Sequence, residues 1–108
     1  MSQISSQTHA ISINPAPGEQ NGHYAFESAE ALDAALTRAA FGFSKWKRKP
    51  LQDRSRALSA LAGALRDSAE AMATMITLEM GKPIAQARGE IEKCARLCEW
   101  YAEHGPAM

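Results

Sequence analysis

Nothing in this sequence accumulates charge of one sign: twelve lysines and arginines stand against twelve aspartates and glutamates, leaving a formal net charge of zero. Nucleic acids and anionic lipid surfaces are met by basic patches or stripes, so the balance argues against both as partners. Long apolar runs are missing as well. No stretch approaches the roughly 20 apolar residues that a membrane-spanning helix needs, and Met1 to Gln7 lacks the basic and apolar regions of a secretion signal. The expectation is a cytoplasmic protein with no membrane partner. Cysteine is scarce. Cys94 and Cys98 stand four apart, on one face of a helix, where small packing residues are the expectation; a zinc site usually shows two clustered pairs or added histidines. The glycines, at 18, 22, 42, 63, 81, 89 and 105, are too dispersed to form the G-x-G-x-x-G turn that cradles a pyrophosphate. No cofactor-binding, metal-binding or catalytic residue is therefore assigned.

What is present is an ordinary globular composition, 45% hydrophobic and 22% charged over 108 residues. That is enough for one small domain burying roughly two-thirds of its unfolded surface. Residues 1–8 are small and polar and read as a flexible tail. His9 to Ile13 alternates weakly and enters a turn at Asn14-Pro15-Ala16-Pro17-Gly18-Glu19, with the prolines keeping this strand at an edge. Gln20 to Phe26 reads either as a second strand or, through Asn21-Gly22, as a further bend.

From Ser28 the period changes from two to 3.6. Leu32, Ala35, Leu36, Ala39, Ala40 and Phe43 share a stripe, Ser28 is placed to cap it, and the helix should end near Ser44. The cations of Lys45-Trp46-Lys47-Arg48-Lys49 suit a helix C-terminus, with Trp46 covering the core edge. Pro50 opens a second helix with the stripe Leu51, Arg54, Leu58, Leu61, Ala62 and Leu65, Arg54 at its margin. Asp67-Ser68-Ala69-Glu70 has capping-box spacing and starts a third, whose apolar face of Met72, Met75, Ile76 and Met80 is expected to fill the core. Gly81 should end it in a left-handed conformation, and Pro83 should start a fourth that runs to about His104.

On that last helix Ile84, Ala87, Ile91, Cys94, Cys98 and Tyr101 form the expected inward face, and Gly105-Pro106 the stop. Arg88, Glu92, Arg96, Glu99 and Glu103 crowd a sector only about 80° wide. Gly89, Leu97 and Trp100 occupy the other flank. So narrow a charged arc implies that this flank packs against protein the sequence does not contain.

The order of these features resembles the N-terminal portion of the aldehyde dehydrogenase superfamily. The resemblance runs from Ile13-Asn14-Pro15-Ala16-Pro17-Gly18-Glu19 through Ala39-Ala40-Phe41 and Trp46 to Glu79-Met80-Gly81-Lys82-Pro83. Within the family, the stretch from Leu97 to Met108 is most similar to bacterial succinate-semialdehyde dehydrogenases. Pro17 departs from the family's common threonine. The resemblance implies that residues 9–108, mostly α as they stand with four helices after a strand or hairpin, are the first segment of an α/β enzyme with a Rossmann-like cofactor domain, which they flank. It implies oxidation of a small-molecule aldehyde through a cysteine thioester with NAD or NADP, in an enzyme that forms homo-oligomers when complete. The catalytic motifs would lie downstream, so the fragment alone should be inactive. By the same resemblance, Lys93, Arg96 and Trp100 are candidates for the border of the substrate tunnel, where a cation would favour a remote carboxylate. The alternative is a free-standing helical interaction module without catalysis.

Overall fold

The computed structural model describes residues 8–108 and arranges them as an antiparallel hairpin followed by four helices. The hairpin consists of β1 (His9–Ile13) and β2 (Gln20–Ala25), and the helices are α1 (Ala29–Trp46), α2 (Leu51–Asp67), α3 (Ala69–Met80) and α4 (Ile84–His104), with a 3-10 turn at Gly105–Ala107. The expected tail lies outside the described residues except for Thr8.

Both strands form. The register pairs His9 with Ala25, Ile11 with His23 and Ser12 with Gly22, then slips so that Ile13 meets Gln20. Asn21-Gly22 therefore makes a bulge inside β2, and the bend reading is not met. The bulge has a use: Asn21 Nδ2 donates to the carbonyl of Leu78 at 2.9 Å and to Ser12 Oγ at 3.2 Å, while Ser12 Oγ donates to Glu79 Oε1 at 2.9 Å. These bonds tie the hairpin to the end of α3. Asn14 Oδ1 accepts from the amide of Ala16, and Asn14 and Glu19 close the turn through a main-chain bond of 2.8 Å.

The junction after α3 falls where the glycine and proline place it, with Pro83 one position before the first helical residue instead of on it. Gly81 takes φ +73° and its N–H bonds the carbonyl of Thr77, ending α3; Pro83 directly precedes α4. Gly81 has a second reason to lack a side chain, since a Cβ there would lie 2.8 Å from Pro15 Cγ. The hairpin turn thus rests on the helix junction.

Ser28 caps α1, its Oγ accepting from the amide of Ala31 at 3.0 Å. The helix runs two residues past Ser44 to Trp46, and the cations end it as expected: Arg48 Nε donates to the Ser44 carbonyl. Lys45 and Lys47 lie over the rings of Phe41 and Phe43.

The core differs from the periodicity in several places. α4 packs against both α2 and α3, and the buried residues are Ala62, Ala73, Ala87, Ile91 and Ala95. Four of these five are alanines. Small residues at the contact let helix backbones approach closely, and the long side chains are left outside. Ala95, one position on and about 100° around the helix from Cys94, takes the place expected of Cys94. Cys94 and Tyr101 are exposed, while Ile84 and Cys98 are half-buried. Met72, Met75 and Met80 are exposed instead of filling the core, as are Leu51 and Leu61. The capping box is not made: Asp67, the expected cap, is the last residue of α2, Ser68 precedes α3 with φ −99°, ψ 6° and no side-chain cap bond, and Glu70 pairs with Arg88.

α1 makes no extensive packing with any other element among the described residues, and Leu32, Leu36, Phe41 and Phe43 are exposed. The radius of gyration is 18.8 Å, with extents of 57 × 39 × 23 Å. A compact domain of this length has a radius near 13 Å. The composition-based expectation of a small domain with a sizeable core of its own is therefore not met.

Replacing Gly81 by alanine should cost about 2 kcal/mol, from left-handed strain and the collision with Pro15 together. Urea denaturation measures it, and Pro15→Ala in the same chain should recover the steric part only; a neutral Gly81→Ala would refute the docking.

Candidate functional site

Three features have the residue types that could do chemistry or bind: the ionic seam where α4 meets α2 and α3, the outer side of α4, and a groove at the end of α4.

The seam is built around two arginines. Arg66 of α2 reaches α4 with its whole fork: Nε and Nη2 donate to the two carboxylate oxygens of Glu92 at 3.2 and 3.1 Å, Nη2 donates to Glu99 Oε2 at 3.2 Å, and Nη1 reaches Glu99 Oε1. Arg88 of α4 grips Glu70 of α3 in two bonds, of 3.0 and 2.7 Å. Lys82 pairs with Glu90. Hydrogen bonding from Arg66 holds the carboxyls of Glu92 and Glu99 below the usual range, Arg88 does the same for Glu70, and both arginines are raised in return. Both carboxylate oxygens of Glu70, Glu92 and Glu99 accept from an arginine across the seam, so these groups clamp helices together. The spacing of Arg88, Glu92 and Glu99 on one charged arc was visible in the sequence, but the partner of the two glutamates, Arg66, 26 and 33 residues away, was not.

On the outer side of α4, Lys93, Arg96 and Trp100 share the face turned away from the buried Ala87, Ile91 and Ala95. They do not meet in one pocket. Lys93 borders a groove of about 410 Å³ with Ile76, Glu90, Ile91, Cys94 and Leu97. Arg96 lies near Glu92 and helps to lower its pKa. Trp100 stacks on His104, with centroids 4.6 Å apart at 13°, and meets Tyr101 edge-on at 5.0 Å. Trp100 and Leu97 are 45% and 56% exposed. Neither Cys94 nor Cys98 has a hydrogen-bonded base, and no group of three or more His, Cys, Asp or Glu side chains could hold a metal ion among the described residues. No described helix is long and apolar enough to cross a membrane.

The groove of about 310 Å³ at the end of α4 is lined by Trp46, Leu51, Arg54, Ser55, Leu58, Tyr101, Gly105 and Pro106. Arg54 Nε is buried there without a hydrogen-bond partner, and the side chain joins no ion pair among the described residues. A buried polar donor left unpaired costs about 1–3 kcal/mol, and more when charged. Thr77 Oγ1 on α3 is also buried and unpaired. Arg54 was legible as the one charged residue at the margin of an apolar stripe; that its Nε would be enclosed was not.

Because the carboxylate pKa values of Glu70, Glu92 and Glu99 are depressed from the ordinary 4.5, their pairing stabilises the fold above that pH and is lost as pH falls through the folded values. Thermal unfolding followed by circular dichroism should show a drop in melting temperature below pH 4.5. Arg66→Met should flatten that drop, leaving the share of Glu70 and the smaller effect of Arg96 on Glu92. An equal drop in both chains would show the seam to be inert.

The sequence model of the aldehyde dehydrogenase family matches residues 3–108. The chain is 52% identical over 105 residues to an Escherichia coli K12 succinate semialdehyde dehydrogenase named for NAD(P)+, a match covering 97% of this chain and 23% of the relative. It is 38% identical over 96 residues to a Mycobacterium tuberculosis succinate-semialdehyde dehydrogenase named for NADP+, covering 89% and 21%. Among solved structures, succinic semialdehyde dehydrogenase from Streptococcus pyogenes, in complex with NADP+, superposes with a TM-score of 0.83 at 28% identity, over 91% of this chain and 22% of that one. The chain spans less than a quarter of the length of the curated relatives it matches.

Proposed function

The chain belongs to the aldehyde dehydrogenase family, and we propose that it is the N-terminal part of an NAD(P)-dependent enzyme that oxidises an aldehyde, succinate semialdehyde first among them, to its carboxylic acid. The similarity carries the chemistry. The observation that carries the part-of-an-enzyme reading is the inverted distribution of apolar side chains: alanines in the core, and leucines, phenylalanines, methionines and Trp100 outside, in a chain far more extended than a domain of its length. Faces of that kind pack against further protein.

The residues in hand do not fit a dinucleotide. The two glycines with positive φ, Gly18 and Gly81, sit in the hairpin turn and at the end of α3, and no glycine-rich turn joins a strand to the start of a helix. Cofactor binding and the nucleophile are thus assigned to the remainder of the enzyme, and no reaction step is drawn through this segment. Its part is architectural. The α2–α3–α4 layer and the docked hairpin form a frame, and the outer side of α4 is the surface that borders the aldehyde's path, with Lys93 and Arg96 available to a substrate's remote carboxylate. The complete enzyme is proposed to be a cytoplasmic homo-oligomer. A free-standing interaction module is the reading favoured instead if a stop codon follows Met108 and the chain is a stable, folded monomer.

Two measurements test this. The product of the longer reading frame should reduce NAD or NADP on addition of succinate semialdehyde, and residues 1–108 alone should not. In that product Lys93→Met or Arg96→Met should lower kcat/KM for succinate semialdehyde up to about fivefold, as for an exposed charge pair, with butanal unaffected; an unchanged ratio removes both from the substrate path. Separately, the Trp100 indole should be shielded from acrylamide quenching in the longer product and open in the short chain, its signal taken in each as the difference from Trp100→Phe. Equal quenching would sink the covered flank.

A further inference from the structure

Of the arginines that lie between elements of this fold, two are fully engaged and one is not. Arg66 and Arg88 spend their forks on glutamates, whereas Arg54 is enclosed at Nε in a groove with no carboxylate on its walls. The other surfaces say less about what would cover them. The trough formed by Ala71, Met72, Met75 and Ile76 is apolar throughout and selects no particular chemistry. The groove beside Lys93 already contains Glu90.

We propose that the Arg54 groove receives a segment of the enzyme's remaining polypeptide that presents an aspartate or glutamate to Arg54 and lays an apolar side chain against Trp46, Leu58 and Tyr101. The inference rests on the reading of this chain as part of a longer enzyme. Charge complementarity selects the acid: the groove supplies one cation and no anion. A guanidinium favours a carboxylate over other acceptors because its parallel N–H donors match the two oxygens. Trp46 and Tyr101 remain 41% and 44% exposed at the rim, where amphipathic aromatics commonly anchor a packed interface. The chain covers 23% of the Escherichia coli relative, so an enzyme of that length has ample further polypeptide to fill the groove.

Hexanoate and hexylamine are the probes, one carrying the predicted charge and the other its opposite on the same apolar tail. In residues 1–108, hexanoate should shift the Arg54 Nε–H and Trp46 indole N–H resonances saturably, with half-saturation about tenfold below that of hexylamine. Arg54→Met should abolish the preference, and Arg56→Met should keep it. If Arg54→Met does not fold, Arg54→Lys decides, since it keeps the charge and should retain a weaker preference. In the longer product the same titration should leave both resonances unmoved, because the groove is filled. Equal response to the two probes, a preference that survives Arg54→Met, or undiminished hexanoate binding by the longer product would each overturn the proposal. Aldehyde turnover is read independently, so the groove and the enzyme reading can fail separately.

Discussion

The close approach of α4 to α2 and α3, made possible by Ala62, Ala73, Ala87 and Ala95, is the constraint from which the rest of this structure follows. Alanine contributes little apolar area to a contact, so the seam gains by proximity instead of bulk. With the backbones so near, Ile91 is the one larger side chain buried among the described residues, and the others project around the rim. The apolar ones remain exposed, and the charged ones reach across: Arg66 to Glu92 and Glu99, Arg88 to Glu70. The ionic clamp is thus a consequence of the alanine contact, set at its edges where solvent still screens it.

The hairpin extends this frame through a different kind of fit. Gly81 serves three ends at once: it terminates α3, accepts a backbone conformation closed to most residues, and leaves the space that Pro15 occupies. The bulge at Asn21 then frees a side chain to bond the Leu78 carbonyl near the same helix end. A steric notch and a few polar bonds hold the sheet here, with no apolar layer between hairpin and helices beyond the shallow contact around Ile11, Ile13 and Met80.

Local signals were read well from the sequence because their causes are local. Ser28 marks a helix start by capping an amide, Gly81 a helix end by its left-handed backbone, and Pro50 and Pro83 helix starts by their fixed φ and missing N–H, and each stands at a helix boundary in the structure. Errors arose where the answer depends on distant partners. Three- and four-residue spacing puts Cys94 and the methionines inward, yet the close contact takes the small Ala95, one position further around the helix. The capping box failed because Asp67 is still inside α2, one residue before α3, and Glu70 is engaged by Arg88, 18 residues away. Arg54 lay beyond reach for another reason: periodicity can place a cation on a margin, but it cannot show that the groove around it lacks an anion.

The exposed apolar faces also bear on what must cover them. α1 carries one stripe, α3 carries its methionines, and α4 carries Leu97 and Trp100 on the side opposite its own buried seam. A second copy of the chain meeting one of these by a twofold contact would leave the others in water, since an isologous interface uses a single patch on each partner. Lining the α4 flank, filling the Arg54 groove and enclosing α1 demand surfaces at several angles around a body 57 Å long. A continuous polypeptide several times the length of this chain meets that demand without further assumptions, and the relatives, which this chain covers to less than a quarter, have that length. The proposed longer enzyme thus draws on two observations, the exposed apolar faces and the share of its relatives that the chain covers.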